Sequence, residues 1–176
     1  MVANEGKFFW IFIVIISIVC FSSIFIFKPV IDGDGLSYIE AIKVLQGGNI
    51  PAQFVPNRIL TTFLGLDSII LFSKIFGSIE AGWLILNISF YFILNIIFYK
   101  LIFRIFKSEK TAFLAALFLA TNYATISFGL DYWMDIGGWL FYVLALYFSL
   151  KYVQTGERES LLYSALSVGA GGLFKE

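Results

Sequence analysis

The chain has 176 residues, 60% hydrophobic, 19% aromatic and 14% charged, against about 45–50% apolar and about 25% charged in an ordinary soluble domain. That balance excludes a soluble globular protein. Twelve Lys and Arg offset twelve Asp and Glu, so no basic nucleic-acid surface or acidic tail is present, no nucleic-acid partner is expected, and the surrounding solvent is membrane lipid. Histidine is absent and Cys20 is the single cysteine, which removes disulfide frameworks, zinc clusters and imidazole chemistry. Any chemistry falls to carboxylates, Lys, Arg or Tyr.

The first element, residues 8–27, reads FFWIFIVIISIVCFSSIFIF without a charge and at 1.5 Å per residue covers about 30 Å of hydrocarbon. It is longer than a signal-peptide core of roughly 7–15 residues and ends in Phe27-Lys28-Pro29, so a retained span is favoured. Residues 28–80 then form a loop. Within it Leu36, Ile39, Ile42 and Leu45 fall on one face of a short amphipathic helix, closed by Gly47-Gly48 and expected to lie flat on the membrane. Residues 59–76 are apolar enough to suggest a span but carry Thr61, Thr62, Asp67, Ser73 and Lys74. Further spans are predicted at 81–103, 111–128, 136–150 and 161–174. The fold class is therefore all-α, a polytopic transmembrane helix bundle of about five spans with juxtamembrane helices in the first loop, in a single domain.

Charge sets the expected orientation. If residues 59–76 do not cross, Lys7, the turn bearing Lys100, Arg104, Lys107 and Lys110, and the turn bearing Lys151 and Arg158 all face the cytoplasm, as the positive-inside rule prefers. Residues 59–76 then read as a re-entrant or juxtamembrane helix at the outer interface. All five aspartates, Asp32, Asp34, Asp67, Asp131 and Asp135, fall on the outer side, while the cytoplasmic turns hold only Glu. Since Glu would solvate a loop equally well, the clustering suggests an outer site.

Each candidate residue has a plainer structural reading. Asp34 sits where a helix N-cap would, and capping alone could explain it. Capping does not explain Asp32 beside it, and an Asp-Gly-Asp turn can hold a divalent cation or let one carboxylate take a hydroxyl proton while the other sets its pKa. Asp135 opens the fourth predicted span, where an acid suits the helix dipole, yet ionisable groups at the edge of lipid are functional candidates. Tyr132, Trp133 and Trp139 read as interfacial anchors. The last span ends Gly169-Ala-Gly171-Gly172-Leu-Phe-Lys175-Glu176, a small-residue face for close helix approach followed by a Lys that either snorkels or meets a phosphate. Asn87-Ile88-Ser89 matches a glycosylation acceptor but lies in a span, so Asn87, Ser89, Tyr91 and Asn95 are read as interhelical hydrogen-bonding groups.

The order DGDGLSYIEAIKVLQGG, PNRILTTFLGLDSIILFSKIFGS, YKLIFRIFKSEKTAFLAALFLATNY, DYWMDIGGWLFYVLALYFSLKY and SVGAGGLFKE resembles the C-type (GT-C) polytopic glycosyltransferases, which include protein O-mannosyltransferases and lipid A aminoarabinose transferases. Nearly the whole chain is covered, and it reads as the N-terminal portion of a longer module, inactive alone. The resemblance implies a catalytic set of Asp34 with Asp32 and Asp135, of which Asp34 stands at the acceptor-activating acid and Asp135 at the second-loop acid. Lys175 stands at the lysine that approaches the donor phosphate, although Glu176 follows it where the family commonly has Gly or Pro. Arg58 is a further phosphate contact and Asp131 a further substrate-binding position.

The activity so implied is transfer of a sugar from a polyprenyl-phosphate donor to a protein, lipid or polysaccharide acceptor, by single displacement with inversion at the extracytoplasmic face of a prokaryotic cell membrane. No cofactor is required by the sequence, and a divalent cation (Mg or Mn) on Asp32, Asp34 and Asp135 is permitted. A secondary transporter would bind protons or sodium at the same carboxylates but predicts inverted repeats that the sequence lacks. A noncatalytic scaffold subunit would use the aspartates as caps.

Overall fold

The computed structural model describes residues 6–26, 31, 33–49 and 57–174, and within the helices leaves the side chains of Ile26, Asp34, Asn57 and Arg58 undescribed. These residues form nine helices: α1 (Lys7–Ile26), α2 (Gly33–Leu45), α3 (Asn57–Thr61), α4 (Phe63–Phe76), α5 (Ile79–Phe106), α6 (Glu109–Thr121), α7 (Tyr123–Gly129), α8 (Asp135–Thr155) and α9 (Arg158–Phe174). The all-α helix bundle expected from the sequence is what is observed.

The span count differs from five. Helices α1, α5 and α8 are long and apolar enough to cross a bilayer, and α6 with α7 makes a fourth only if the bent pair counts as one span. The bend is 63° and falls at Asn122, whose own N–H still reaches Leu119 O at 3.2 Å. Its side-chain oxygen accepts from Ala124 N at 3.0 Å, so Asn122 ends one helix and caps the next instead of continuing the ladder. Helix α9 has 17 residues, about 26 Å at 1.5 Å each, short of roughly 30 Å of hydrocarbon.

Local chemistry places the boundaries. Ser78 accepts from Ala81 N at 3.1 Å and Ser108 from Thr111 N at 3.3 Å, capping α5 and α6. Gly77 (φ 86°) and Gly156 (φ 71°) close α4 and α8 in the left-handed conformation, which a residue without Cβ adopts at least cost. Helix α4 spans 14 residues, about 21 Å, and folds back against the first half of α5.

Helix α5 is the spine, because its length of 28 residues carries it through two cores. The larger core joins Phe9, Phe12 and Ile16 of α1, Tyr91, Leu94 and Tyr99 of α5, the Ala112, Ala116 and Ala120 face of α6, and Ile136 and Leu140 of α8. The smaller one gathers Tyr38 and Ile42 of α2, Leu66 and Ile69 of α4, Trp83 and Leu86 of α5, Met134 and Phe174. Helices α8 and α9 are joined by a buried polar contact in which Ser164 Oγ meets Ser149 Oγ at 2.7 Å and donates to Ala145 O at 3.0 Å.

Two packing expectations are corrected. Helix α2 buries Tyr38, Ile39, Ala41 and Ile42 against protein, while Leu36 and Leu45 are exposed, so its inner face is set by α4 and Trp83 and not by a lipid surface. Close approach through the α9 glycines holds only at Gly171, where a Cβ would come 3.3 Å from Phe141 Cβ; Gly169 and Gly172 face open space. The tight glycines lie elsewhere. A Cβ on Gly82 would come 2.4 Å from Ser73 N and 2.7 Å from Ser73 Cα, which is backbone and cannot rotate away. Gly82→Ala is therefore expected to force α4 off α5 and lower stability by about 1–3 kcal/mol, whereas Gly169→Ala costs nothing measurable; thermal unfolding in detergent distinguishes the two.

Candidate functional site

The candidate site forms where the smaller core meets the five residues between α7 and α8. This strap, residues 130–134, has buried ends at Leu130 and Met134. Leu130 N donates back to Ile126 O at 2.9 Å, and Gly137 N to Met134 O at 3.2 Å. Between these anchors the strap is not helical, and its carbonyls need partners from elsewhere. Asn87 of α5 supplies them: its Nδ2 donates to Asp131 O at 2.6 Å and to Trp133 O at 2.8 Å.

Within the strap, Asp131 Oδ1 accepts from Tyr132 N at 2.7 Å. The Tyr132 ring meets Trp83 edge-on at 5.5 Å, and Trp83 meets Tyr38 of α2 at 5.9 Å. Tyr132 is thus packed between α5 and α2 and is more than an interfacial anchor. Burial, then the nearby carboxylates of Glu80 and Asp131, push its phenol above the usual tyrosine value. Helix α2 approaches the strap at Gly35, whose ideal Cβ would lie 3.6 Å from Tyr132 O and 4.0 Å from Tyr132 Cβ. Gly35 directly follows Asp34 in sequence.

Asp135 is the first residue of α8; its preceding residue, Met134, makes no side-chain cap. The acid therefore sits in the first helical turn, where the helix dipole favours negative charge. It is half-buried and stands at one end of a groove of about 410 Å³ that runs between α8 and α9 past Trp139, Tyr142, Ser167, Gly171 and Gly172. The C-terminal end of α9 reaches the same region through Phe174, which is 1% exposed. Its ring lies 5.0 Å from Phe90 and 5.6 Å from Phe141; a Cβ on Gly137 would run into this ring, and one on Gly65 would run into Met134 Cε and come 3.2 Å from Phe174 O.

The predicted residues are placed as follows. Asp131 and Asp135 lie together at the strap. Asp67 is exposed on α4. Asp34 lies in the first turn of α2, one residue inside Gly33 and not ahead of the helix as its N-cap. Asp32, Lys175 and the side chains of Asp34 and Arg58 lie outside the described residues. Among the described residues no three His, Cys, Asp or Glu form a group that could hold a metal. Of the four polar residues read along α5, Tyr91 bonds across helices to Ala120 O at 2.7 Å and Asn87 reaches the strap. Ser89 and Asn95 bond within their own helix, to Ile85 O and Tyr91 O. The roles of Trp83, Tyr132 and Glu80 were missed, because nothing in spacing links residues about 50 apart.

Residues 67–176, more than half of the chain, match the family model for dolichyl-phosphate-mannose-protein mannosyltransferase. The chain belongs to that family. Membership makes it an integral membrane protein and a glycosyltransferase of the mannosyltransferase type. The mannosyltransferase match takes in Asp67, Asp131, Asp135 and Lys175 and leaves out Asp32, Asp34 and Arg58. Among curated proteins and among solved structures, none matches.

The approach of α2 to the strap is directly testable, since the 4.0 Å between the Gly35 and Tyr132 Cβ positions lies inside the disulfide range of about 3.5–4.5 Å. In a Cys20→Ser background the pair Gly35→Cys and Tyr132→Cys is expected to crosslink under mild oxidant, giving a disulfide-linked peptide by mass spectrometry. Free thiols at both positions would mean that the first loop and the strap are apart.

Proposed function

We propose that this chain carries the aspartate-bearing part of a site that moves a sugar from a polyprenyl-phosphate donor to a hydroxyl on a protein, lipid or polysaccharide acceptor, at the extracytoplasmic membrane face. The observation that carries the reading is convergence. Three stretches far apart in sequence meet at one end of the bundle: Gly35 beside Asp34, the strap leading into Asp135, and Phe174 beside Lys175. These are the positions that the C-type resemblance gives to the first-loop acid, the second-loop acid and the phosphate-approaching lysine.

The chemistry needs a base, charge neutralisation and alignment. Asp34, with Asp32 adjusting its pKa, accepts the proton of the acceptor hydroxyl. The freed oxygen pair attacks the anomeric carbon as the bond from that carbon to the phosphate oxygen breaks, and polyprenyl phosphate leaves with inversion at the sugar. Asp135 positions the base or shares a metal with it, and Asp131 adds a substrate contact from the same strap. Lys175 and Arg58 meet the phosphate and offset its growing charge. A Mg or Mn ion between Asp32, Asp34 and Asp135 would supply the same offset. The groove beside Asp135 supports a lipid-linked donor, because its walls of Gly, Ala, Val and aromatic residues suit an isoprenoid chain whose headgroup lies at the helix end.

Replacing Asp34 with Asn removes the base while keeping a residue that suits a helix N-terminus. In the full-length protein, Asp34→Asn and Asp135→Asn are each expected to reduce transfer from a polyprenyl-linked sugar by about 10²–10⁴-fold at unchanged abundance. Transfer that survives both changes would sink the assignment. Orientation has its own test in intact cells of a Cys20→Ser variant carrying single cysteines at Ser37, Ser68, Ser108 or Ser160. Outside labelling is expected at Ser37 and Ser68 alone; labelling at Ser108 would put the two acidic loops on opposite faces.

A further inference from the structure

Four polar side chains, Asn87, Tyr91, Asn95 and Tyr99, recur every fourth residue along α5 and so share one face. Each is at most 3% exposed. The two asparagines are chemically identical and equally buried, yet their amides act differently. Asn95 Nδ2 bonds to Tyr91 O at 2.8 Å inside its own helix. Asn87 Nδ2 spends both hydrogens on strap carbonyls 44 and 46 residues away, while the Oδ1 of each asparagine is buried without a hydrogen-bond partner among the described residues.

The two amides therefore differ in where their hydrogens go, and core filling does not require those of Asn87 to cross to the strap. What the arrangement achieves is geometric. Two carbonyls flanking Tyr132 are held to one nitrogen on the bundle's longest helix, so the backbone from Asp131 to Trp133 has little freedom to turn. The strap leads through Met134 directly into Asp135.

We propose that Asn87 is a positioning residue for transfer: it clamps the strap and thereby fixes where Asp131 and Asp135 present their carboxylates. The inference rests on the reading of Asp135 as part of the transfer site. Asn87 touches no reacting group itself and acts through the Asp131 and Trp133 carbonyls.

The test compares Asn87→Leu with Asn95→Leu in the full-length protein. Leu is near Asn in size and suits a membrane helix, and Asn95 provides a control of equal burial without the strap contact. Two quantities are read: steady-state transfer, and the rate at which a water-soluble thiol reagent labels Met134→Cys in a Cys20→Ser background. Met134 is 1% exposed at the strap's end, so its labelling reports strap release without reference to activity. For Asn87→Leu the expected result is a kcat lower by about tenfold or more, a donor KM within about twofold, and labelling faster by about tenfold or more. Asn95→Leu should match the unsubstituted protein in both.

Unchanged labelling in Asn87→Leu, or faster labelling with unchanged kcat, overturns the proposal. Equal losses in both variants do so as well, because both amides would then be ordinary core contacts. If Asn87→Leu does not accumulate, Asn87→Ser, with one donor on a shorter arm, carries the same comparison. Full turnover in Asp135→Asn would defeat the transfer reading instead, while the labelling rates still decide whether Asn87 holds the strap.

Discussion

A backbone that leaves the helix against a packed core must find its hydrogen bonds within the protein, because a buried carbonyl left unpaired is costly. In this bundle that constraint falls on residues 130–134, and the side-chain amide of Asn87 meets it for two carbonyls at once. The rest of the acidic end is arranged around this contact. With the strap held against α5, Tyr132 can lie edge-on to Trp83, and Trp83 to Tyr38, which draws α2 in until Gly35 meets the strap backbone. A polar contact between α5 and the strap thus positions an aromatic series, and that series positions the first loop.

Close backbone approach completes the arrangement from the other side. Gly82 lets α4 rest on the α5 backbone, Gly65 leaves room for the Met134 side chain, and Gly137 leaves room for the Phe174 ring. Any side chain at these positions would push apart the helices that bring the end of α9 beside the strap. Small residues therefore act here at three separate helix crossings and not as one dimerisation-like stripe. The part-buried contact between Ser149 and Ser164 ties α8 to α9 beside the groove that begins at Asp135.

The electrostatic character of this end follows from the same packing. Burial, then the charges of Glu80 and Asp131, disfavour ionisation of the Tyr132 phenol, while Asp135 sits in the first turn of α8, where the helix dipole favours negative charge. At the opposite end of α8 the acid Glu157 lies 2.6 Å from Lys151, and that hydrogen-bonded pairing lowers its pKa. One end of the bundle thus holds a tyrosine that feels two carboxylates, and the other pairs Glu157 with a lysine.

The sequence alone determined the class of the molecule and much of its element order. Unbroken apolar runs such as residues 8–27 exceed what a soluble core tolerates, and the runs at 81–103, 111–128 and 136–150 give approximate helix positions, because hydropathy is read from residues near one another in sequence. The acids at 131 and 135 were legible as a candidate site for the same reason: they interrupt apolar sequence where lipid would penalise charge. The span count was less legible, since Asn122 is one polar residue in an apolar run and only the bent backbone shows that it caps a new helix. The buried face of α2 was misread because periodicity gives the apolar stripe without saying whether lipid or protein covers it, and Trp83 and α4 cover a different set of residues. Only the tertiary structure could decide that Asn87 serves the strap while Asn95 serves its own helix. Two identical side chains eight residues apart differ only in what the fold brings opposite them, and hydrogen bonds across 44 residues leave no mark on local sequence.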